Sequence, residues 1–597
     1  MEEYKENYIG ELVKNERKRR GLSSKAVCSG ICSMGVYSKL ESGVYAGNVH
    51  VLRAVFERLG IDTERSGTYL AGNEYDEMMD RLYILEDIRN GEVSKAEERI
   101  EGYVKKYDNI PLNCQFITYM RARLSELKGK KEEALRLYDE AVKYTMPDYA
   151  SCRKFECISV YECFMVLNVV RLDAVLGNRD KAVSQYKVVL EYCENSEVEA
   201  LNKVCIYPKT ICELLDIVPP DAADRKSCSK LYGDCLNAIE VLLKTGRVHY
   251  ILPLLGYKKM LEQILDMKSD DKWDEFAGYY GEIRREYGCG EELLAWYPYY
   301  RDCDFRSVNE LIRERREMHC MSLEELAGDD ISTRQLARII KGESSPSYNI
   351  AKRLLDKLGL KGVQRSDFIV ADDIYLHKLW DEYSEYYNAE DYDHAEKIYF
   401  KMKESMDTSI EINRIAVDFM RIELNLGENR IGYAEALEKY EKLLPFTLED
   451  VEKYKYLITI EKIILNQCIN CMDMLKLQDR MPFMEAVLDK YSVDELSKRR
   501  YAGMYEGIAV RYANYAGNIG EYDKSNEVAE AAVKVMLDCE RVGALPTLLY
   551  CIAWNNGKCR NITERDILLC KCAYRIAEYK GDEKRMKLYD AWLRKNT

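Results

Sequence analysis

Proline is scarce in this chain, 11 in 597 residues. Proline removes a backbone donor and breaks helices, so its scarcity over such a length predicts long helical stretches. Histidine is scarcer still: His50, His249, His319, His377 and His394 are dispersed and form no pair at metal-ligand spacing. No apolar run approaches the roughly 20 residues of a membrane-crossing helix, which argues against a membrane partner. The first residues, Met1-Glu2-Glu3-Tyr4-Lys5-Glu6, are charged with no apolar segment behind them, so no secretion signal is expected. Phosphate-binding loops, dinucleotide fingerprints, nucleophile elbows and metalloprotease helices are all missing. The expectation is a non-enzyme with no catalytic residue and no cofactor.

Cysteine, by contrast, is common. The count of 21 is odd, and Cys468-x-x-Cys471 alone has a metal-like spacing, with no second pair or histidine to follow it. A structural zinc needs four ligands, so no metal is expected. The thiols read instead as small apolar helix residues in a chain kept reduced in the cytoplasm. Hydrophobic residues make up 47% and charged residues 32%, as in globular proteins. The net charge is -14, and the length suggests about four domains.

The chain repeats itself. Ile9-Gly10-Glu11-Leu12-Val13 is answered by Val308-Asn309-Glu310-Leu311-Ile312, and Leu59-Gly60-Ile61 by Leu358-Gly359-Leu360, at one offset of 299. Farther on the offset drifts but survives: Glu133-Ala134-Leu135 is answered by Glu435-Ala436-Leu437, and Arg247-Val248 by Arg541-Val542. This predicts a head-to-tail duplication of a unit with a small N-terminal domain and a long helical remainder. The expected boundaries are 1–66 and 304–365 for the small domains, and 67–303 and 366–597 for the remainders.

Each small domain has the pattern of a helix-turn-helix. In the first, a helix over 9–20 carries Leu12 and Val13 and ends on Arg17, Arg19 and Arg20. Ser23 caps a short second helix that opens with Ser24 and Lys25, and Ser33 caps a third from Met34 to Glu41, ended by Gly43. Leu52, Val55, Phe56 and Leu59 supply a closing helix. The second domain repeats the plan. Arg313, Arg315 and Arg316 end its first helix, Ser322 caps the second, and Ser332 caps the third, Thr333 to Ile340. Such a third helix is the element that enters a DNA major groove.

The run Gly30-Ile31-Cys32-Ser33, then Tyr37-Ser38-Lys39-Leu40-Glu41-Ser42-Gly43, resembles the DNA-binding domain of the Rgg/PlcR-like (RRNPP) regulators, an XRE-type head. The turn is one residue shorter than in phage-repressor-type domains. The second copy keeps the short turn in Gly328-Asp329-Asp330-Ile331-Ser332, but has Ile340-Lys341-Gly342 where the family has Glu-x-Gly. The resemblance implies double-stranded DNA as a partner and a short peptide of quorum-sensing type as the regulating ligand.

The candidate DNA contacts follow by position. In the first head they are Arg17, Arg19, Arg20, Ser24, Lys25, Ser33, Met34 and Lys39. In the second they are Arg313, Arg315, Arg316, Ser332, Thr333, Arg334, Gln335 and Arg338. Arg suits guanine and Gln suits adenine, each through two parallel hydrogen bonds. The first head presents Met34, Gly35, Val36 and Lys39 instead, and Gly35 costs its helix about 1 kcal/mol relative to Ala. Residues 1–62 and 305–362 each carry a net charge of +2, so the remainder of the chain carries -18. The heads are basic islands in an acidic protein.

The remainders carry the spacing of tetratricopeptide-like (TPR-like) helix pairs: Gly129, Ala134, Tyr138, Ala141, and again Gly177, Ala182, Tyr186, Val189. Looser versions occur at Gly91-Ala96-Ile100, Ala395-Tyr399, Ala436-Tyr440, Gly520-Ser525-Ala529 and Gly581-Met586. The expected fold is all-α, two tandem units each with a helix-turn-helix domain and a TPR-like α-solenoid. Solenoids present extended concave surfaces. In the family resembled, that surface receives the peptide, which makes Asn168 and Asn466 peptide-binding candidates, since an amide side chain both donates and accepts. The function expected is a cytoplasmic, sequence-specific transcription regulator with two heads in one chain, either a monomeric pseudo-dimer or a homodimer. The rivals are a protein-interaction scaffold whose heads no longer bind DNA and a DNA-binding protein with no small ligand.

Overall fold

A computed structural model describes residues 8–44, 48–63, 67–70, 72–107, 110–289, 305–360, 365–366, 368–454, 457–477, 480–492 and 495–597. The boundaries expected at 66, 303 and 304 lie outside the described residues. The fold is all-α, with two small helix-turn-helix heads and α-solenoid remainders.

The first head is α1 (Tyr8–Arg19), α2 (Ser24–Cys28), α3 (Met34–Glu41) and α4 (Val49–Arg58). The Ser23 hydroxyl accepts from the Ala26 amide at 3.0 Å, and the Ser33 hydroxyl from Val36 at 3.3 Å. Each serine thus satisfies a donor that the first helical turn leaves orphaned. Val13, Val27, Tyr37, Leu40 and Val55 are at most 1% exposed and form the core. A helical run follows: α5 (Asn73–Arg89), α6 (Val93–Lys106), α7 (Pro111–Leu127), α8 (Lys131–Lys143), α9 (Val160–Val175), α10 (Arg179–Asn195), α11 (Ala200–Ile217), α12 (Arg225–Thr245), α13 (Ile251–Ile264) and α14 (Asp271–Glu286).

The second head is α15 (Val308–Met318), α16 (Leu323–Ala327), α17 (Thr333–Ile340) and α18 (Tyr348–Lys357). Its short helices match the first head's in length, and Ser322 and Glu325 form a reciprocal capping box. The remainder comprises α19 (Ile374–Asn388), α20 (Tyr392–Ser405), α21 (Glu411–Gly427), α22 (Tyr433–Glu441), α23 (Thr459–Met474), α24 (Arg480–Tyr491), α25 (Glu495–Arg500), α26 (Ala502–Asn518), α27 (Tyr522–Asp538), α28 (Leu545–Cys559), α29 (Glu564–Tyr579) and α30 (Glu583–Asn596).

The chain folds into two compact units made of interleaved segments: Met1–Val55 with Thr63–Leu82 and Asp302–Val493, and Phe56–Asp62 with Tyr83–Arg301 and Asp494–Thr597. The first unit holds a feature the sequence pattern did not announce, a small sheet of order β2-β1-β3. Strand β1 (Gly67–Leu70) leaves the first head. It pairs parallel with β2 (Phe305–Ser307), which enters the second head, and antiparallel with β3 (Arg365–Ser366), which leaves it. Beside the sheet, Gly72 sits at φ +50°, where a Cβ would fall 2.0 Å from the Ser345 hydroxyl oxygen.

In the second unit, successive helices from α7 to α13 pack as neighbours, as do α26 to α30. Gly129 (φ +75°) and Gly177 (φ +105°) make the left-handed turns between helix pairs. Ala134, Tyr138, Ala141, Ala182, Tyr186 and Val189 are all fully buried, so the small and aromatic positions of the repeat are core. Ala96, Ile100, Ser525 and Ala529 are buried likewise. At the Gly581 version the aromatic falls on Tyr589, and Met586 is half-buried. Helix α14 packs on α29. Two main-chain bonds join 246–248 to 540–542: the Val248 amide donates to Glu540 O at 3.1 Å and the Val542 amide to Gly246 O at 3.0 Å.

Candidate nucleic-acid interface

The two third helices are built alike. Ser33 caps α3, and Ser332 caps α17 by accepting from the Gln335 amide at 3.2 Å. Tyr37 and Leu40 of α3 are buried, as are Leu336 and Ile339 of α17. Each helix therefore lies on its head through the same two positions and turns the same opposite face outward. On α17 that face is Thr333, Arg334, Gln335 and Arg338, all exposed. Arg338 keeps a loose approach to Glu343 at 3.7 Å, with both side chains more than half exposed. On α3 the face is Met34, Gly35, Ser38 and Lys39, all exposed, with Val36 half-buried. Met34 is 50% exposed, and the Cys28 thiol lies 3.3 Å from its sulfur. Lys25 is exposed and Ser24 half-buried.

The basic ends of the first helices are placed differently from the sequence expectation. Arg17 makes a two-pronged pair with Glu41, at 2.6 and 3.2 Å, and donates to Leu22 O at 3.1 Å. The Glu41 bond holds its pKa above the ordinary guanidinium value. Its positional counterpart Arg316 donates to Met321 O at 2.7 Å. These arginines fasten the turn that follows the first helix. Arg19 and Arg20 both reach Glu16, at 2.7 and 3.0 Å, with Arg20 only 9% exposed. Arg313 is 41% exposed, near Glu314. Arg315 does not belong to this surface: its side chain is 5% exposed and forms an ion pair with Glu461, itself 1% exposed.

That last pair has a relative in the other unit. Arg58 grips Glu162 through Nε at 3.0 Å and Nη2 at 2.5 Å. Burial alone would raise the Glu162 carboxyl; Arg58 and the Ser159 amide outweigh it and hold the group below the usual carboxylate range. Glu162 and Glu461 occupy the same place, the third residue of a helix, and each accepts from the backbone amide three residues earlier, Ser159 at 2.8 Å and Ile458 at 3.0 Å. The sequence held this signal: Glu162 and Glu461 are 299 apart, the offset of the repeat.

The solenoid candidates fare differently. Asn168 is 2% exposed, and its amide donates to the Tyr119 hydroxyl at 2.7 Å, so that donor is engaged within the protein. Asn466 lies half-buried on α23. A charged cluster that the sequence pattern did not announce lies on α7, α9 and α11. Glu126 accepts from Arg123 at 3.1 Å, from Arg171 at 2.7 Å and from Tyr138 at 2.8 Å. Glu213 accepts from Tyr186 at 3.0 Å and pairs with Lys209, which also donates to the Tyr250 hydroxyl at 3.2 Å. Burial pulls the Lys209 pKa down although Glu213 opposes it. Burial also acts on Glu126, but Arg171 and Arg123 together leave it below its ordinary value. The available signal was charge inside helices that are otherwise apolar.

No helix among the described residues is long and apolar enough to cross a membrane, and no group of His, Cys, Asp or Glu among them could hold a metal ion. The described cysteines are free, and Cys468 and Cys471 are both buried.

Comparison with protein-family models and with curated proteins finds no match. Among solved structures, the chain is similar to PlcR of Bacillus thuringiensis in complex with the peptide PapR7 and DNA, at 15% identity and a TM-score of 0.31 over 48% of this chain and 98% of that one. It is similar to the SHP pheromone receptor Rgg2 of Streptococcus dysgalactiae, at 16% identity and a TM-score of 0.28 over 49% of this chain and 100% of that one. It is also similar to ComR of S. thermophilus in complex with DNA and its signalling peptide ComS, at 16% identity and a TM-score of 0.30 over 49% of this chain and 99% of that one. Over about half its length the chain is similar to Rgg/PlcR-like regulators.

Proposed function

We propose that this protein is a cytoplasmic, sequence-specific DNA-binding regulator with two reading heads in one chain. The observation that carries the proposal is the outward face of α17. Arg334, Gln335 and Arg338 are exposed together on a capped helix whose other face is buried in its own head. Those side chains are the types that read guanine and adenine edges in a major groove. The chain is organised as heads at 1–66 and 304–365 with solenoids at 67–303 and 366–597, a duplication whose two halves supply the two heads of a pseudo-dimer. Joining both heads in one chain raises the effective concentration of the second DNA contact once the first is made.

PlcR and ComR, two of the similar solved structures named above, are in complex with DNA and a peptide. For this chain a short peptide is the regulating ligand proposed, bound on the concave surface of a solenoid. It would act by favouring one arrangement of the heads over another.

The test is binding of the full chain to its own upstream DNA at two salt concentrations, with Arg334→Ala/Arg338→Ala beside it. Tight binding that weakens with salt and is lost in the double variant is the expected result. Weak binding, indifferent to sequence and to the substitutions, would favour the second reading, a protein-interaction scaffold. The exposed Met34 and the bare Gly35 of α3 are the observations on that side.

A further inference from the structure

We propose that the two heads read unequal half-sites: the second head specifies its base pairs, and the first contributes affinity with little base discrimination. This rests on the DNA-binding function proposed above and goes beyond it by naming the symmetry of the operator and the residues that set it.

The structure puts the two third helices in one-to-one register. Both are eight residues long, both are capped by a serine hydroxyl, and both bury their fourth and seventh residues. Position by position, Met34 matches Thr333, Gly35 matches Arg334, Val36 matches Gln335 and Lys39 matches Arg338. At the position of Arg334, a Cβ built on Gly35 meets only the Ser33 hydroxyl oxygen, at 3.9 Å, so open space stands where the second head has a guanidinium. At the position of Gln335 stands an aliphatic side chain, half-buried. Met34 offers sulfur and methyl, which can touch a thymine methyl but cannot donate or accept in the paired geometry that separates one base pair from another. Lys39 keeps the charge of Arg338 without its planar fork. The second head thus presents two forks one helical turn apart with an amide between them, and the first presents a flat apolar patch beside one ammonium. Identical heads on a two-fold would read a palindrome; these heads are not identical where it matters.

The experiment is selection of bound sequences from a random DNA pool by the full chain, repeated with Gly35→Arg/Val36→Gln/Lys39→Arg. That variant carries the second head's reading residues on the first head's helix. Each replacement removes a poorer helix former or keeps a good one, and a melting curve checks that it folds as the wild type does. The wild type is expected to return sites with one defined half. Single base changes in that half should lower affinity roughly ten- to a hundredfold, against less than about threefold in the other. The variant is expected to return an inverted repeat of the defined half. A wild-type pool converging on a palindrome overturns the inference, as does a folded variant whose selected sites match the wild type's. A pool with no defined half at all overturns the DNA-reading function itself, and the absence of any conserved half distinguishes that result from the other two.

Discussion

Arg315 tests whether a basic residue near a helix-turn-helix head serves a nucleic-acid surface or the fold. Its guanidinium is 5% exposed against Glu461 at 1%, and the Glu461 carboxylate also accepts from the Ile458 amide at 3.0 Å. Arg315→Met removes the cation and leaves a buried carboxylate behind. Breaking such a pair from one side costs about 3–5 kcal/mol. Removing both partners, Arg315→Met/Glu461→Met, leaves no orphaned charge and is expected to recover most of that loss. Glu461 lies on α23, which also carries Cys468 and Cys471, both fully buried. Thiol labelling of those two cysteines, read peptide by peptide, therefore measures local opening of this helix rather than unfolding of the whole chain. At about 1.4 kcal/mol per tenfold, Arg315→Met should speed labelling between roughly a hundredfold and a few thousandfold. The double variant should return to within about tenfold of wild type, while DNA affinity and its salt dependence stay unchanged in it. Labelling accelerated less than about threefold in Arg315→Met would refute the reasoning. If that variant instead lost affinity with a shallower salt slope, Arg315 would be a phosphate contact.

Three further perturbations follow from particular contacts. Gly72→Ala forces a side chain into a left-handed backbone and against Ser345; it should destabilise the first unit by about 1–3 kcal/mol, and Ser345→Gly in the same chain should restore part of it in a melting experiment. His50 and Glu74 act oppositely on pH dependence. Burial, with Arg81 nearby, pushes His50 down to about 4, so its ordinary pKa near 6.5 survives only unfolded, and stability falls as pH drops from about 6.5 to 4. Burial pushes Glu74 up to about 7, so the folded chain takes its proton first and stability rises as pH drops from about 7 to 4.5. The two offset each other in the wild type. His50→Asn should therefore melt higher as pH falls through this window, and Glu74→Gln lower, in a melting series from pH 7.5 to 4.5. Finally, Glu540 is 2% exposed between His249 at 2.8 Å and Arg284 at 3.1 Å. Glu540→Ala should speed amide exchange of Val248 and Val542 at least tenfold; unchanged exchange would show that the main-chain bridge stands without the carboxylate.

The helices were legible because their signals are local. Ser23, Ser33, Ser322 and Ser332 cap short helices wherever they occur before two or three apolar residues, and the predicted spans Met34–Glu41 and Thr333–Ile340 are the observed ones. The small and aromatic positions at Ala134, Tyr138, Ala182 and Tyr186 declared a core by spacing alone. What sequence could not supply was the partner. Arg17, Arg20 and Arg315 look like any basic helix end until Glu41, Glu16 and Glu461 are seen beside them. The strands were illegible for a similar reason: two to four residues carry too little pattern, and their pairing joins chain segments more than 200 residues apart. Asn168 was legible as a polar residue in an apolar run, but its tie to Tyr119 was not.

The buried arginines sharpen the difference between the heads. Glu162 and Glu461 are the conserved half of a repeated device, the same residue at the same helix position 299 apart. The cation that answers them is not repeated in place. Arg58 comes from the end of α4, and its counterpart in the second head, Lys357, reaches Asp330 at 2.7 Å instead. Arg315 comes from α15, and its counterpart in the first head, Glu16, has the opposite charge and serves Arg19 and Arg20. A carboxylate buried this deeply cannot be left without a cation, and each acid is answered by an arginine from a different helix. The heads therefore differ both in the face they turn outward and in the helix through which a buried arginine reaches a solenoid carboxylate. Arg58→Met should loosen α9 and leave labelling of Cys468 and Cys471 at the wild-type rate. Arg315→Met should do the reverse, leaving exchange of the α9 amides unchanged. Loosening of both helices by either substitution would mean the two latches are one cooperative element.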